Sequence, residues 1–298
     1  MEMRQLEVFR SVADSRGFLA AAGKLHLSQS TVSAQVASLE QELQTELIRR
    51  TTRSFQLTPE GERLYVYAGD MLALRRKAEQ ELSGSEKKLL RIGSSSVPAQ
   101  CIVPEVLAAF HERSPETEFQ VVRGDSADII GSVADGRLDL GFVGTKTDAD
   151  CTFVPVAEDR LVLAMPNTPF YRELLGRRAP LRELLQCPFL MREESSGTQK
   201  EAERLLGELG IDVGALRSVA RIGDAEMLRL CVAQGLGAAV LSERTVRDLA
   251  ADGRILVTSP WEKELRRSLY LVSRAGKYPS RTVRGFLSLT EELLRKRK

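Results

Sequence analysis

Leu6, Phe9, Val12 and Ala13 recur at helical spacing, and the pattern stops at Asp14 to Gly17, where glycine supplies a turn. A second, alanine-rich helix is predicted from Phe18 to Leu25, with Phe18, Ala21, Ala22 and Leu25 placed for close packing. After a break at His26-Leu27, Ser28 is a good N-cap for a third helix running to about Leu43. Its apolar stripe is Val32, Val36, Leu39 and Leu43, and its polar face carries Gln29, Ser30, Thr31, Ser33, Gln35 and Ser38. A tight turn followed by a helix with small hydrogen-bonding side chains suits entry into a DNA major groove, although a solvated face of a small bundle has the same pattern. From Leu47 to Thr58 two short β-rich runs flank a basic turn holding Arg49, Arg50 and Arg53, a two-stranded wing that would set guanidinium groups beside phosphates or in the minor groove. Thr58-Pro59-Glu60 then starts a helix predicted to reach about Glu86. At roughly 26 residues it would be about 39 Å long. Its stripe of Leu64, Tyr67, Ala68, Met71, Leu72, Arg75, Ala78 and Leu82 needs a partner, either the same helix of a second subunit or the body of its own chain.

Beyond a hinge at Ser83-Gly84-Ser85, strand and helix patterns alternate. Leu89 to Ser94 reads as a strand, Pro104 to His111 as helix, Phe119 to Val122 as strand, Ile129 to Val133 as helix and Leu138 to Val143 as strand. A second series holds strands at Leu161 to Met165, Phe189 to Met191, Ser218 to Ala220 and Ala238 to Leu241, and a late strand at Arg267 to Ser273 returns to the first series. The expectation is an α/β fold with a largely parallel sheet, in two lobes joined by crossings near residues 160 and 266. Ligands of such sheets sit beyond the carboxyl ends of strands, at helix N-termini. Ser94-Ser95-Ser96 and Ser195-Ser196-Gly197-Thr198 meet that description, with Gln100 and Gly144-Thr145 as further wall residues. Each run is also a plain N-cap by pattern. Neither contains Lys or Arg, so a small oxyanion or carboxylate would be selected by hydrogen bonds rather than by a salt bridge. Gly235-Leu236-Gly237 lacks a third glycine and a preceding strand, which favours a helix C-cap over a dinucleotide loop.

Composition narrows the function. The 298 residues, 43% hydrophobic and 28% charged, describe a globular chain of two domains or lobes. Two histidines and four scattered cysteines, Cys101, Cys151, Cys187 and Cys231, give no metal-ligand spacing, no C-x-x-C pair and no placed base, so no metal site, no cofactor and no catalytic residue is expected. No apolar run is long enough to span a bilayer and no apolar segment follows Met1-Glu2-Met3-Arg4, which points to the cytoplasm. The net charge of +2 argues at first against nucleic acid, but charge is local. Residues 1–91 hold 14 of the 43 Lys+Arg and 12 of the 41 Asp+Glu, leaving 29 of each in the rest, and the three wing arginines cluster without an acid among them.

Residues 1–90 resemble the N-terminal half of LysR-type transcriptional regulators. The resemblance rests on Leu6-Glu7-Val8-Phe9, Gly17 to Ala22, Leu25 to Ser33, Leu39-Glu40, Leu47-Ile48-Arg49-Arg50 and Leu57-Thr58-Pro59-Glu60-Gly61, in that order. Leu19 stands where the family usually has Ser or Thr, which would remove one phosphate contact, and Ile48 replaces a usual Phe. The resemblance implies a DNA-binding regulator with an N-terminal all-α winged helix-turn-helix and long linker helix, then a C-terminal α/β two-lobed, periplasmic-binding-protein-like effector domain. The expected boundaries are 1–58 for DNA binding, 59–88 for linker and dimerisation, and 89–298 for the effector domain, with lobe I at 89–161 and 266–298 and lobe II at 162–265. By position, Gln29, Ser30, Thr31, Ser33, Gln35, Arg50 and Arg53 would face double-stranded promoter DNA. Ser94, Ser95, Ser96, Gln100, Gly144, Thr145, Ser195, Ser196 and Thr198 would face a small-molecule effector, in a homodimer or homotetramer. Ile92 to Gln100 and Asp139 to Gly144 resemble the subgroup associated with sulfur and selenium metabolism. The competing expectation, a cytoplasmic solute-binding or sensor protein without sequence-specific DNA activity, accounts for the last two thirds of the chain but not for the first 90 residues.

Overall fold

The computed structural model describes every residue except Thr52, Arg53, 83–87, Ser195, 262, 263, 277, 278 and 296–298. The chain divides into two compact units, Met1–Glu86 with Asp135–Arg137, and Lys87–Ala134 with Leu138–Lys298. No helix among the described residues is long and apolar enough to cross a membrane.

The first unit holds α1 (Met3–Asp14), α2 (Phe18–Leu25), α3 (Gln29–Leu43), an antiparallel hairpin of β1 (Ile48–Thr51) and β2 (Ser54–Leu57), and α4 (Pro59–Leu82). Leu6, Phe9, Val12, Ala21, Ala22, Val32, Val36, Leu39, Leu47, Ile48, Ala68 and Leu72 form its core. Ser28 caps α3, accepting from the Thr31 N–H at 3.1 Å. At the start of α4, Thr58 Oγ1 accepts from the Gly61 N–H at 2.9 Å and donates to the Glu46 carbonyl at 2.6 Å. Gly61 is obligatory there, because a Cβ would stand 2.1 Å from the Leu47 carbonyl oxygen. Glu40 Oε1 accepts from the N–H groups of both Leu47 and Ile48, at 2.9 and 3.1 Å, tying α3 to β1. The expected α3 stripe ends early, since Leu43 is exposed beyond the helix's last packing turn. On α4, Leu64, Ala68, Met71 and Leu72 pack on their own chain, whereas Tyr67 and Leu74 stand in solvent.

The second unit runs β3 (Lys88–Ser94), α5 (Ser96–Cys101), α6 (Val103–Arg113), β4 (Thr117–Arg123), α7 (Ser126–Ala134), β5 (Leu140–Val143), β6 (Cys151–Pro166), α8 (Pro169–Gly176), α9 (Leu181–Leu184), β7 (Phe189–Arg192), α10 (Gly197–Glu208), β8 (Ser218–Ile222), α11 (Ala225–Ala233), β9 (Ala239–Ser242), α12 (Glu243–Ala251), β10 (Ile255–Thr258), β11 (Leu265–Arg274) and α13 (Arg281–Arg295). Its cores separate into two lobes. Leu90, Ile92, Phe110, Leu140, Phe142, Leu269 and Phe286 fill the first, and Leu161, Leu163, Met165, Phe189, Leu206 and Trp261 fill the second. In β6, Leu161, Leu163 and Met165 face that second core while Val162 and Ala164 face another, with Leu228, Val232 and Leu241, so this stretch is apolar on both faces.

Two expectations need correcting. The sheet is mixed, not largely parallel. In the order β10-β6-β11-β5-β3-β4, with β9 also on β6, only the β3–β4 and β3–β5 pairings are parallel, and β7–β8 forms a separate parallel pair. The cause is the pair of crossing strands. β6 and β11 run antiparallel to each other through both lobes, and the lobe strands β5, β9 and β10 build on them in the same antiparallel sense. The segment 151–160 is moreover strand, where an extended run was expected only from Leu161. Pro155, Glu158, Asp159 and Arg160 hide it, because in this half of β6 polar residues lie where it passes between the lobes. Gly235, at φ +91°, ends α11 as the pattern implies, with the Leu236 N–H returning to the Cys231 carbonyl.

Candidate functional site

On α3 the buried stripe of Val32, Val36 and Leu39 fixes what points outward. Gln29, Ser30, Thr31 and Ser38 are exposed, Ser33 and Gln35 are half-buried on the flanks, and Ala34 and Ala37 are exposed beside them. The two alanines were missed as face residues, although the 100° helical step from the stripe predicts them. They let a helix approach a groove wall closely. The Ser28 hydroxyl lies 2.8 Å from that of Ser30 and 2.7 Å from that of Thr31, a hydroxyl cluster at the helix start. Leu19 is 72% exposed at the start of α2, an apolar side chain held in water. On the wing, Arg49 is exposed and lies 3.9 Å from Glu46, so that cation is partly offset. The backbone of Arg50 lies in β1, and Arg53 lies outside the described residues.

The second candidate site is a cavity in the second unit, lined by Ser95, Ser96, Val97, Asp125, Ser126, Gly144, Ser196, Gly197, Thr198 and Arg267. The parallel strands β3, β4 and β5 all end at it, leading into Ser95, Asp125 and Gly144, and β7 ends just before Ser196. It admits the centre of a water-sized sphere over about 10 Å³. Of the effector residues read from sequence, Ser95, Ser96, Gly144, Ser196 and Thr198 line it. Ser94 does not, being buried with its hydroxyl donating to the Ser95 carbonyl at 3.1 Å. Gln100 is also outside the lining, and its Nε2 is buried without a partner among the described residues. Thr145 stands beside the lining, its side chain 3.1 to 3.2 Å from where a Cβ on Gly197 would be. Ser195 lies outside the described residues.

The two hydroxyl runs differ. Ser196 caps α10, its Oγ accepting from the Gln199 N–H at 3.4 Å, whereas Ser95 precedes α5 without a side-chain cap bond. Ser126 Oγ, also buried, accepts from the Gly144 N–H at 3.3 Å. Sequence reading had no cation here. The structure brings in Arg267, whose side chain is 2% exposed, from near the start of β11. Its Nε donates to Asp159 Oδ2 at 2.8 Å and its Nη1 to Thr198 Oγ1 at 3.3 Å, while Nη2 is buried without a partner among the described residues. Asp159, fully buried, also accepts from the Ser242 hydroxyl. Behind it, burial and the Asp159 charge push the Cys101 thiol up. Arg123, ending β4 in lobe I, lies 3.2 Å from Asp224, the N-cap of α11 in lobe II. Arg267, Asp125 and Ser126 carried no sequence signal. Arg266-Arg267 beside Glu264 looks like any solvated mixed-charge stretch.

Chemically, the α3 face and wing are suited to contact a polyanion, and the cavity offers hydroxyl donors and a guanidinium to a small acceptor-rich ligand. Among the described residues no group of three His, Cys, Asp or Glu converges on a possible ion position. Residues 3–62 match the model of the bacterial regulatory helix-turn-helix protein, lysR family, and residues 83–295 match the LysR substrate binding domain. The chain is 30% identical over 287 residues to the uncharacterized HTH-type transcriptional regulator YeiE of Escherichia coli, covering 96% of this chain and 95% of that one. Its fold is similar to that of a full-length OxyR variant from Pseudomonas aeruginosa, with a TM-score of 0.69 at 21% identity, covering 99% of this chain and 95% of that one. The regulatory domain of Synechocystis CcmR in complex with 2-PG superposes with a TM-score of 0.62 at 23% identity, over 70% of this chain and 97% of that one.

Proposed function

Because the chain belongs to the LysR family of bacterial transcriptional regulators, we propose that it binds promoter DNA through α3 and the wing and that a small anion in the effector-unit cavity controls that binding. The single observation that carries the effector half is the convergence of three parallel strand ends and a cap of the facing lobe on one polar cavity. Gln29, Ser30, Thr31, Ser33 and Gln35 are the proposed base-reading face, and Arg50 and Arg53, assigned from sequence, the phosphate contacts. Ser95, Ser96, Gly144, Ser196 and Thr198 are the proposed effector contacts, with Thr145 beside them and Ser195 assigned from sequence. Exposed Tyr67 and Leu74 on α4 favour pairing of two copies through this helix, and a homotetramer is the proposed assembly. A role on DNA places the protein in the cytoplasm. The sulfur and selenium subgroup remains our reading of the Ile92 to Gln100 segment, and the boundaries at 58 and 88 remain our division of the chain. Ligand closure of the two lobes would change how paired DNA-binding units are spaced.

The test is binding to the protein's own promoter region against unrelated DNA over a salt series. Preference for the promoter is expected, with Arg50→Ala weakening all sequences and flattening the salt dependence, and Gln29→Ala mainly relaxing specificity. Equal binding to both DNAs by folded protein would sink the proposal in favour of a solute sensor.

A further inference from the structure

We propose that Arg267 reads the charge of the cavity's ligand, and that this ligand is a compact oxyanion, one central atom with its oxygens, rather than an organic acid with a carbon skeleton. The inference rests on the cavity being the effector site, as proposed above.

Donor capacity is the first argument. A guanidinium has five N–H donors, and Asp159 and Thr198 engage two of them. The others belong to a buried group that lines the cavity, and a hydrogen bond left unmade on a buried charged donor is destabilising. A ligand oxygen that takes them relieves this cost. The group is also fixed before any ligand arrives. Arg267 and Asp159 are directly opposed in the β6–β11 register, so the ion pair is set by backbone geometry and the fork is pre-organised.

Size and lining decide the ligand class. Room for a water-sized centre over about 10 Å³ is what one ordered water requires. An acid with several carbons would need the lobes to part, and it would find almost no apolar wall, since Val97 is the only aliphatic side chain in the described lining. A single-centre oxyanion is larger than one water but smaller than a multi-carbon acid, so it needs the lesser parting of the lobes, and the Ser95, Ser96, Ser126 and Thr198 hydroxyls can donate to it from both lobes. Asp125 is the carboxylate among the described lining residues; it is half-buried whereas Arg267 is buried, so the anion belongs at the Arg267 end. A small amino acid, with its carboxylate on Arg267 and its ammonium on Asp125, is the competing occupant and is tested directly.

The experiment is calorimetric titration of the full chain with sodium sulfate, inorganic phosphate, benzoate and glycine at matched ionic strength. Saturable binding of sulfate or phosphate is expected, with none for benzoate or glycine. Removing Arg267 alone would strand a buried carboxylate, so the first variant is Arg267→Met with Asp159→Asn, which should stay folded and bind the oxyanion roughly tenfold more weakly or worse. The second is Arg267→Lys, which keeps the charge against Asp159 but loses the fork and should also weaken binding at retained melting temperature. Oxyanion binding unchanged in either folded variant overturns the proposal, as does preference for benzoate or glycine, or the absence of any saturable oxyanion binding. Binding that ignores Arg267 but falls in Ser126→Ala removes this inference and leaves the cavity as the effector site. Promoter binding that no ligand alters removes the proposed function itself.

Discussion

Gly197 of lobe II packs closely against lobe I, and adding one carbon there tests whether the lobes meet as described. An ideal Cβ on Gly197 would lie 3.1 Å from Ser126 Oγ, 3.1 Å from Thr145 Oγ1 and 3.2 Å from Thr145 Cγ2, a few tenths of an ångström inside ordinary contact. Both branches of Thr145 are involved, and a β-branched side chain is stiff at χ1, so the neighbour cannot simply swing away. Overpacking of this kind costs about 1–3 kcal/mol. Gly197 is not among the residues of positive φ, so Gly197→Ala carries no backbone strain, and alanine at a helix start offsets at most about 1 kcal/mol. For a unit of this size each kcal/mol moves the melting temperature by roughly 2–4 °C. The expected result for Gly197→Ala is therefore a loss of a few degrees in thermal unfolding. In the Thr145→Ala background, which removes Oγ1 and Cγ2 together, the same substitution should be neutral or stabilising. A coupling in that cycle below about 0.5 kcal/mol is ordinary additivity, and it would refute a direct contact between Gly197 and Thr145.

Two further outcomes follow from other parts of the chain. Glu40→Ala should destabilise the first unit by about 2–3 kcal/mol, because two N–H groups lose a charged acceptor; Glu40→Gln should cost less, since both bonds use the same oxygen, Oε1. Melting of the two variants followed by circular dichroism checks this, and equal losses would show that charge, not the acceptor, holds the wing. Burial, with Cys187 alongside, pushes the Tyr171 phenol from 10.0 up to about 12. The native protein then keeps a proton that the unfolded chain has released, so this contribution to stability is intact below about pH 10 and is lost as pH rises towards 12. Tyr171→Phe should flatten the stability curve in that window, and an unchanged curve would refute the assignment.

The first unit was legible because its determinants are local. The Val32–Val36–Leu39 stripe, the Ser28 cap and the Thr58-Pro59-Glu60 start each act within a few residues, and each appears where the pattern puts it. Leu43 and the outer part of α4 were harder, since periodicity cannot say where a packing partner ends. In the second unit the alternation of strand and helix was readable, but sheet direction was not. Antiparallel pairing of β6 with β11 joins residues more than one hundred positions apart, and 151–160 alternates polar and apolar too weakly to announce a strand. The hydroxyl runs were readable as strand-to-helix turns, yet which hydroxyls turn inward depends on the lobes facing each other. Ser94 and Gln100 lie outside the described lining, and Ser94's hydroxyl is taken by the Ser95 carbonyl.

Arg267 shows the limit most clearly, and also what lies behind it. Its neighbour Arg266 pairs with exposed Glu158 and Glu264, so by sequence the two arginines are alike. Strand alternation makes them different: one step along β11 moves a side chain from the solvent face to the buried face, where Asp159 waits on β6. That register lies at the crossing, because Ala157 packs with the first lobe's core and Leu161 with the second's, and on β11 Leu269 and Leu265 divide in the same way. The guanidinium proposed to read the ligand's charge is therefore carried by the two strands about which the lobes would move, while its Thr198 contact comes from one lobe and Gly144 approaches it from the other. An anion held there would bridge the crossing and both lobes at once, and so bias their closure through three attachments rather than through a contact on either lobe alone.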